Sequence, residues 1–226
     1  MRRRWNVGTM ERWDVTALVF LSIVPSFHRS AQDPAPILDR ASQSYDTVRT
    51  LQADFVQVVD NPMIGDPDTT RGRLYQRRPG YFAMRFTEPK DDRIVADGRH
   101  LWLYTPSTTP GQVIRSAIPG TGTTGPNLIG FVEHPRERYD ARYVHADSLS
   151  DEVVDVIALT PRAHDLPYSA ATVWIARKDG LVRRIDIVET SGQRRTIILR
   201  NLAINQAVPA REFRFSPPAG SRVVDQ

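Results

Sequence analysis

The chain has 226 residues, 40% of them hydrophobic and 25% charged, a composition that is typical of a folded domain and excludes a disordered protein. Its formal charge of +4 falls to +1 when residues 1–31, which hold five arginines and two acidic residues, are set aside, so charge does not support nucleic-acid binding. The sequence contains no cysteine, which excludes disulfide bonds, thiolate nucleophiles and thiolate zinc sites.

The N-terminal residues have the pattern of an export signal. Residues 2–4 are arginines, and residues 15–24, VTALVFLSIV, form an apolar core that is short for a membrane-spanning helix. We therefore predict a signal peptide over residues 1–31 and a single mature domain over residues 32–226. The alternative is a membrane-anchored N-terminus, or translation that begins at Met10.

A helix and a strand are predicted before the middle of the chain. Apolar residues recur at helical spacing from Ile37 to Val48, which predicts one amphipathic helix that ends near Arg49. Residues 51–60, LQADFVQVVD, alternate between two faces as a strand does. Residues 61–70, NPMIGDPDTT, are predicted to form a polar loop.

Residues 72–106 predict an antiparallel β-meander, because side chains of different polarity alternate between successive turn signals. The dipeptides PG at residues 79–80 and DG at residues 97–98 mark two of these turns. The first strand is predicted to carry Leu74, Gln76 and Arg78 on one face, and the second strand to carry Phe82, Met84 and Phe86 on one face. Arg78 is unusual in this set, since its charge would lie on an apolar face directly before a turn.

The rest of the chain predicts more strands and one irregular segment. Residues 111–118 predict a strand, and residues 119–135 begin as a loop rich in Gly and Pro. An apolar group in this loop predicts a short helix, and its members are Leu128, Ile129, Phe131 and Val132. Alternation predicts five further strands, over residues 141–146, 151–161, 171–180, 181–190 and 193–204.

Motifs for enzyme chemistry are weak in this sequence. Residues 120–125 match GxGxxG, but Pro119 and Pro126 flank them among antiparallel strands, so a hinge loop is a better interpretation than a dinucleotide site. The five histidines are scattered without metal-ligand spacing, and no GxSxG motif is present. The paired acids Asp91 and Asp92 are predicted to be solvated turn charges. The residues therefore predict neither an enzyme nor a cofactor.

The residues by themselves leave two interpretations of the predicted sheet. Met and aromatic side chains on one face, together with a separate apolar helix, suit a binder of flexible acyl chains because such side chains repack around varied apolar ligands. A closed β domain, in which the same face is an ordinary core, explains the pattern equally well.

An ordered set of segments is shared with a known family. In chain order they are LQADFVQ, GRLYQRRPGYF, DGRHLWLYTP, DGLVRRIDI and FRFSPPAG. Together they resemble the periplasmic lipoprotein carriers of the LolA type over residues 37–225. The resemblance implies a mainly β fold with helices: a half-open antiparallel β-barrel with an N-terminal helix and a helical lid. Its concave interior would hold the acyl chains of a lipoprotein in transit between the inner and outer membranes.

The resemblance also implies partners and a place of action. A family member acts in the periplasm as a monomer, takes lipoproteins from an inner-membrane ABC-type releasing complex and passes them to an outer-membrane acceptor. Neither a cofactor, a metal nor nucleic acid is implied. The acceptor shares the fold but requires a lipobox cysteine, so the lack of cysteine favours the soluble carrier. An envelope scaffold or regulatory protein that binds a protein partner through the same sheet is the second hypothesis, and a hydrolase is the third.

Eight residues match the family's acyl cavity and lid: Arg78, Leu74, Phe82, Met84, Phe86, Leu128, Ile129 and Phe131. Arg78 matches the Arg of an RP pair that is thought to tether the closed lid through hydrogen bonds to lid backbone, a task that suits the several donors of a guanidinium. Residues 120–135 would form the moving lid. The sequence departs from the family pattern in the loop 61–70 and in its C-terminus, which ends six residues after Gly220.

Overall fold

The computed structural model describes residues 32–63, 65–118, 128–163 and 166–226, with Leu128 and Ile129 described by their backbone alone. The predicted signal peptide lies outside these residues. The helices are α1, Ala35–Asp46, and α2, Pro135–Arg138, with single 3-10 turns at Leu128–Phe131 and Ala210–Phe213. The strands are β1 Thr50–Asp60, β2 Asp68–Arg77, β3 Tyr81–Glu88, β4 Arg93–Asp97, β5 His100–Tyr104, β6 Gln112–Ala117, β7 Tyr139–Leu149, β8 Glu152–Pro161, β9 Tyr168–Ala176, β10 Val182–Glu189, β11 Arg194–Ile204 and β12 Arg222–Asp225.

The strands form one open sheet. Their order is β12-β6-β5-β4-β3-β2-β1-β11-β10-β9-β8-β7, and each neighbour pair is antiparallel except β12 with β6, which is parallel. The two meanders β1–β6 and β7–β11 therefore meet where β1 pairs with β11. The described strands β7 and β12 lie at opposite edges and leave the sheet unclosed. The predicted fold class, mainly β with an N-terminal helix and an open antiparallel sheet, is confirmed.

The main core lies on one face of the sheet, which we call the inner face. Helix α1 packs on this face through Leu38, Ala41 and Tyr45, which are almost fully buried. A helix of this length spans roughly 18 Å, whereas twelve flat strands would be about 55 Å wide. Because buried inner-face side chains come from strands as far apart as β4 and β7, the sheet must curl around the helix.

Helix α1 differs slightly from its prediction. It begins at Ala35, directly after Pro34, and ends at Asp46 instead of near Arg49. Val48 follows the helix but is still buried against the core. A close contact fixes the C-terminal half of the helix: a Cβ added at Gly180, in the turn between β9 and β10, would lie 2.6 Å from the Ser44 hydroxyl oxygen.

The C-terminal residues 205–226, which we call the C-terminal strap, cross the other, outer face of the sheet. Phe213 is buried there against Ala83 and Val95. The strap then adds β12 to the edge of the sheet beside β6, and the Arg115 guanidinium pairs with the Asp225 carboxylate at 2.5 and 2.8 Å. This last strand was not predicted from the sequence.

Two sequence predictions in the first meander are wrong in detail. Strand β2 begins at Asp68, so the predicted polar loop is shorter, and the β-branched residues Thr69 and Thr70 pair with β1. Asp92 is not a solvated turn charge but is 5% exposed. It accepts hydrogen bonds from the backbone N–H and the hydroxyl of Ser107, at 3.1 and 2.6 Å, and thereby ties two loops together.

Helices α1 and α2 and the two 3-10 turns, which are the helical elements among the described residues, are too short or too polar to cross a membrane.

Candidate functional site

Four of the predicted site residues lie together on the inner face. Leu74 and Met84 oppose each other across β2 and β3, Phe82 lies two residues before Met84, and all three are buried in the main core. Phe86 packs against the same core, with its ring edge-on to Phe55 at a centroid distance of 5.1 Å. The predicted placement of these side chains on one apolar face is therefore correct, and their role in binding stays a prediction.

The chemistry of this face suits apolar ligands of variable shape. Met84 has a flexible thioether side chain, and Phe55, Phe82 and Phe86 supply polarizable rings. Side chains of these two kinds can repack with little loss when an apolar ligand replaces one of their neighbours. The face can therefore serve either as an ordinary core, packed by the protein's own side chains, or as a binding surface that becomes accessible when its cover moves away.

A separate piece of chain, residues 128–138, covers one end of the inner face, and we call it the cover segment. Phe131 is 8% exposed and Val132 fully buried, and both belong to the main core. The Arg138 guanidinium donates a 2.7 Å hydrogen bond to the backbone oxygen of Gly130, which fixes the 3-10 turn to α2. Arg136 forms an ion pair with Asp39 of α1. The short helix predicted in this region is confirmed in part, while the predicted loop 120–127 and the side chains of residues 128 and 129 lie outside what is described.

Two tyrosines receive the cover segment. The hydroxyl oxygens of Tyr139 and Tyr168 lie 2.6 Å apart in a buried hydrogen bond. The Phe131 ring stacks on Tyr139 at a centroid distance of 6.4 Å and packs at 5.4 Å against Tyr168. Burial raises the pKa of both phenols, with the shared hydrogen bond adding to the rise at Tyr139. Both tyrosines therefore stay protonated at neutral pH and form an uncharged, polar contact surface for Phe131 of the cover segment.

Arg78 lies at the other end of the sheet from Phe131. It follows the last residue of β2, and its backbone N–H donates a 2.9 Å hydrogen bond to the Arg49 oxygen, just after α1. Strand β6 also ends on this side, whereas β7 begins at the opposite end, beside Phe131. The half-buried Arg78 therefore lies at the same end of the sheet as the last residue of β6, four strands away from it. The predicted tether between its guanidinium and residues 119–127 lies outside the described residues and stays a prediction.

Buried charged residues lie near α1 and the β7–β8 and β9–β10 turns, and the sequence did not predict them. Asp155 is 3% exposed and accepts hydrogen bonds at 3.0 and 2.6 Å from Arg177, with the Arg40 guanidinium of α1 3.9 Å away. Arg183 is buried between Glu152 and Asp179, at 2.7 and 2.6 Å. The Arg183 pairs connect the β7–β8 and β9–β10 turns to each other, and Asp155 provides the charged contact to α1. Asp155 in β8 and Arg183 in β10 alternate with apolar residues, and this pattern is the sequence signal from which charges on the inner face could be predicted.

Comparison with known proteins gives sequence matches over most of the chain. The sequence model of the family described as outer membrane lipoprotein carrier protein LolA matches residues 46–216. An outer-membrane lipoprotein carrier protein of Pseudomonas putida (strain W619) is 26% identical over 206 residues, which cover 91% of this chain and 92% of that protein. Another, from Albidiferax ferrireducens, is 30% identical over 187 residues, covering 80% and 86% of the two chains.

A solved structure is similar in fold alone. It is an uncharacterized conserved protein from Thermus thermophilus, with a TM-score of 0.54 and 15% sequence identity. The similarity covers 86% of this chain and 100% of that chain.

Proposed function

The chain belongs to the LolA family of outer membrane lipoprotein carrier proteins, and from that membership we propose that it binds the acyl chains of lipoproteins released from the inner membrane and delivers them to the outer membrane. It does so by binding and transport rather than by catalysis. Lipoproteins are the cargo, an inner-membrane ABC-type complex is the donor, and an outer-membrane protein is the acceptor.

One observation carries this proposal. The apolar inner face is covered, in the described part of the chain, by two separate pieces, α1 and the cover segment, and not by a second sheet. Closure by small pieces can be reversed locally, whereas parting two packed sheets would expose a whole core at once. A face built from Leu74, Phe82, Met84 and Phe86 then exchanges contacts within the core for contacts with acyl chains.

The proposal assigns distinct roles to the site residues. Inner-face residues contact the acyl chains, while Leu128, Ile129 and Phe131 form the apolar side of a lid that leaves the face when cargo enters. Arg78 tethers the other end of that lid in the empty state, through hydrogen bonds from its guanidinium to backbone oxygens. The export signal predicted over residues 1–31 supports a periplasmic location for the mature domain, residues 32–226, which acts as a monomer.

Native mass spectrometry of the protein purified from its own cell envelope tests the proposal. We expect a population of the monomer to carry one triacylated polypeptide. Repeated recovery of an empty monomer bound tightly to a non-lipidated protein would instead indicate an envelope scaffold that uses the same sheet. A Met84→Asp variant serves as a control, because a charge on the buried apolar face should abolish recovery of the acylated species.

A further inference from the structure

Polar side chains replace the apolar ones at one end of the inner face. In β1 the buried run Leu51, Ala53 and Phe55 is followed, on the same face, by Gln57, which is 7% exposed. Gln57 opposes Thr70 of β2, which is also 7% exposed. The cover segment occupies this same end of the sheet. The successive pairings from β1 through β11, β10, β9 and β8 to β7 place Asp60, the last residue of β1, at the same end as the first residue of β7.

The polar residues continue across the neighbouring strands. Arg195 of β11 lies two residues before the buried Ile197, and Glu189 of β10 lies two residues after Ile187, so both share the inner face. Glu189 opposes Tyr168 of β9, whose hydroxyl meets that of Tyr139. We call this row the polar belt, and its members are Thr70, Gln57, Arg195, Glu189, Tyr168 and Tyr139.

The interior of the belt is loosely bonded. The Gln57 side-chain amide donates to the Thr70 hydroxyl at 3.4 Å, and the Arg195 guanidinium donates to the Gln57 oxygen at 3.4 Å. Both contacts are longer than the usual distance of about 2.9–3.0 Å. Buried donors that are weakly satisfied gain free energy when a ligand oxygen completes their hydrogen bonds. Gln57 and Thr70 are therefore poised to accept a polar group from a molecule that fills the apolar face beside Phe55.

The charge of the belt limits what that group can be. The Arg195 guanidinium pairs with the Glu189 carboxylate at 2.7 and 3.1 Å, so the two charges cancel, and the remaining members are uncharged. A carboxylate or phosphate placed beside Gln57 and Thr70 would lose hydration and meet Glu189, whose charge already pairs with Arg195, while the Arg138 guanidinium lies at the other end of the belt, 5.5 Å from the centroid of the Tyr139 ring. Ester and amide carbonyls carry no charge and accept hydrogen bonds from amide, hydroxyl and guanidinium donors.

We infer that the polar belt is the subsite for the neutral ester and amide linkages of an acylated cargo, and that it selects against acyl ligands with an anionic head group. The inference rests on the proposed function, because it assumes that acyl chains occupy the apolar face. It adds that the linkage between chains and peptide is read by Gln57 and Thr70, and that the Glu189–Arg195 pair discriminates by charge.

Displacement of an apolar reporter, diphenylhexatriene, from the purified mature domain tests this inference. The competitors are a synthetic N-acyl, S-diacylglyceryl cysteinyl peptide amide, its matched ether-linked analogue without carbonyls, and palmitate. We expect the ester-linked probe to compete about tenfold better than the ether-linked probe in the wild type. The double variant Gln57→Leu with Thr70→Val should reduce this ratio to near one while the reporter still binds. The same changes on the outer face, Gln52→Leu with Thr87→Val, should leave the ratio unchanged.

A second variant tests the charge argument and does not depend on a buried substitution. Glu189→Gln leaves Arg195 without its anionic partner, so palmitate should compete about tenfold better, a larger gain than that of the uncharged ester-linked probe. Equal competition by ester and ether probes in the wild type, or an unchanged ratio in the Gln57 and Thr70 double variant, would overturn the subsite. Failure of palmitate to improve in Glu189→Gln would overturn the charge selection. Failure of every probe, including the reporter, to bind the wild type would instead contradict the proposed function itself.

Discussion

The hydroxyl oxygens of Tyr139 and Tyr168 lie 2.6 Å apart, and the ring of Phe131 rests on both tyrosines. The two tyrosines come from β7 and β9, which are not adjacent in the sheet, so their hydrogen bond bridges over β8. Because burial raises the pKa of both phenols, this bond persists through the neutral range. The seat of the cover segment is thus fixed to the sheet, and movement is expected of Phe131 rather than of the tyrosines.

Phe131→Asp should weaken closure of the empty protein. The substitution removes a buried ring together with its contacts to Tyr139 and Tyr168, and it places a carboxylate, which would lose hydration, in the space that the ring fills. We expect faster uptake of an apolar fluorescent reporter and a lower affinity of the cover segment for the inner face, with Leu128→Asp acting in the same direction. Hydrogen exchange of the backbone from residue 128 to 138 reports the opening. Unchanged exchange in Phe131→Asp would show that this side chain does not hold the cover in place.

Alkaline pH should destabilise the fold through Tyr45. Burial raises the pKa of this phenol to about 12 from its ordinary value of 10. The unfolded chain therefore loses the Tyr45 proton first as the pH rises, so the free energy of unfolding is unaffected below about pH 10 and falls between about pH 10 and 12. Tyr45→Phe removes this share of the alkaline loss, which denaturant melts at neutral and alkaline pH would detect.

The same variant should be less stable at neutral pH. The Tyr45 hydroxyl oxygen accepts a 3.1 Å hydrogen bond from the buried backbone N–H of Val182, and Phe leaves that donor unsatisfied. The expected loss in free energy of unfolding is about 1–3 kcal/mol. An identical pH dependence for Tyr45→Phe and the wild type would rule out Tyr45 as the source of the alkaline effect.

Gly180→Ala should destabilise the packing of α1 on the β9–β10 turn. Gly180 has φ of +71°, and an added Cβ would lie 2.6 Å from the Ser44 hydroxyl oxygen and 3.2 Å from the Arg40 backbone oxygen. Gly192→Ala is the matched control, since Gly192 has φ of +86° with open space around it. In both variants the positive φ should lower the free energy of unfolding by about 1 kcal/mol. Only Gly180→Ala should lower it further, and equal thermal stabilities of the two variants would contradict the close contact.

Much of the fold could be predicted from the sequence because alternation is a local property. Spacing predicts that Phe82 and Met84 share a face of their strand, and the pairing of Met84 with Leu74 extends that face to the neighbouring strand. Residues 222–225 could not be recognised as a strand, because four residues after a proline-rich stretch carry little periodicity. Strand β12 exists because it pairs with β6, more than 100 residues earlier in the chain, and local pattern does not report such a partner.

The polar part of the site could not be predicted for a similar reason. Asp92 looks like a turn residue in sequence, and only the fold brings Ser107 to it. Tyr139 and Tyr168 are separated by 29 residues, and their contact depends on the curl of three strands. Gln57 occupies the next position after Leu51, Ala53 and Phe55 in the alternation of β1. A polar residue at that position is a sequence signal that the inner face becomes polar there.

Arg78→Leu should uncouple uptake from hand-over. The substitution removes every donor of the guanidinium and adds apolar surface beside the inner face. Hydrogen bonds from a charged donor contribute about 1.5–3 kcal/mol, so loss of the tether would shift an open–closed equilibrium by about tenfold or more. We expect the variant to accept lipoprotein at least as well as the wild type and to transfer it poorly to an acceptor in a reconstituted assay.

Arg77→Leu provides the control for this experiment. Its guanidinium lies over the Tyr81 and Phe213 rings on the outer face, at 4.2 and 4.8 Å from their centroids. The Arg77 variant should lose some stability and still hand over cargo normally. Normal transfer by Arg78→Leu would mean that Arg78 is a solvated charge at the end of β2 and not a tether.

Depletion of the protein in its own host, followed by membrane fractionation, tests the carrier role most directly. The distribution of acylated lipoproteins between the inner and outer membranes is measured before and after depletion. We predict that outer-membrane lipoproteins accumulate in the inner membrane, and that the wild-type protein restores their distribution while Met84→Asp does not. An unchanged distribution of lipoproteins after complete depletion would contradict the carrier role.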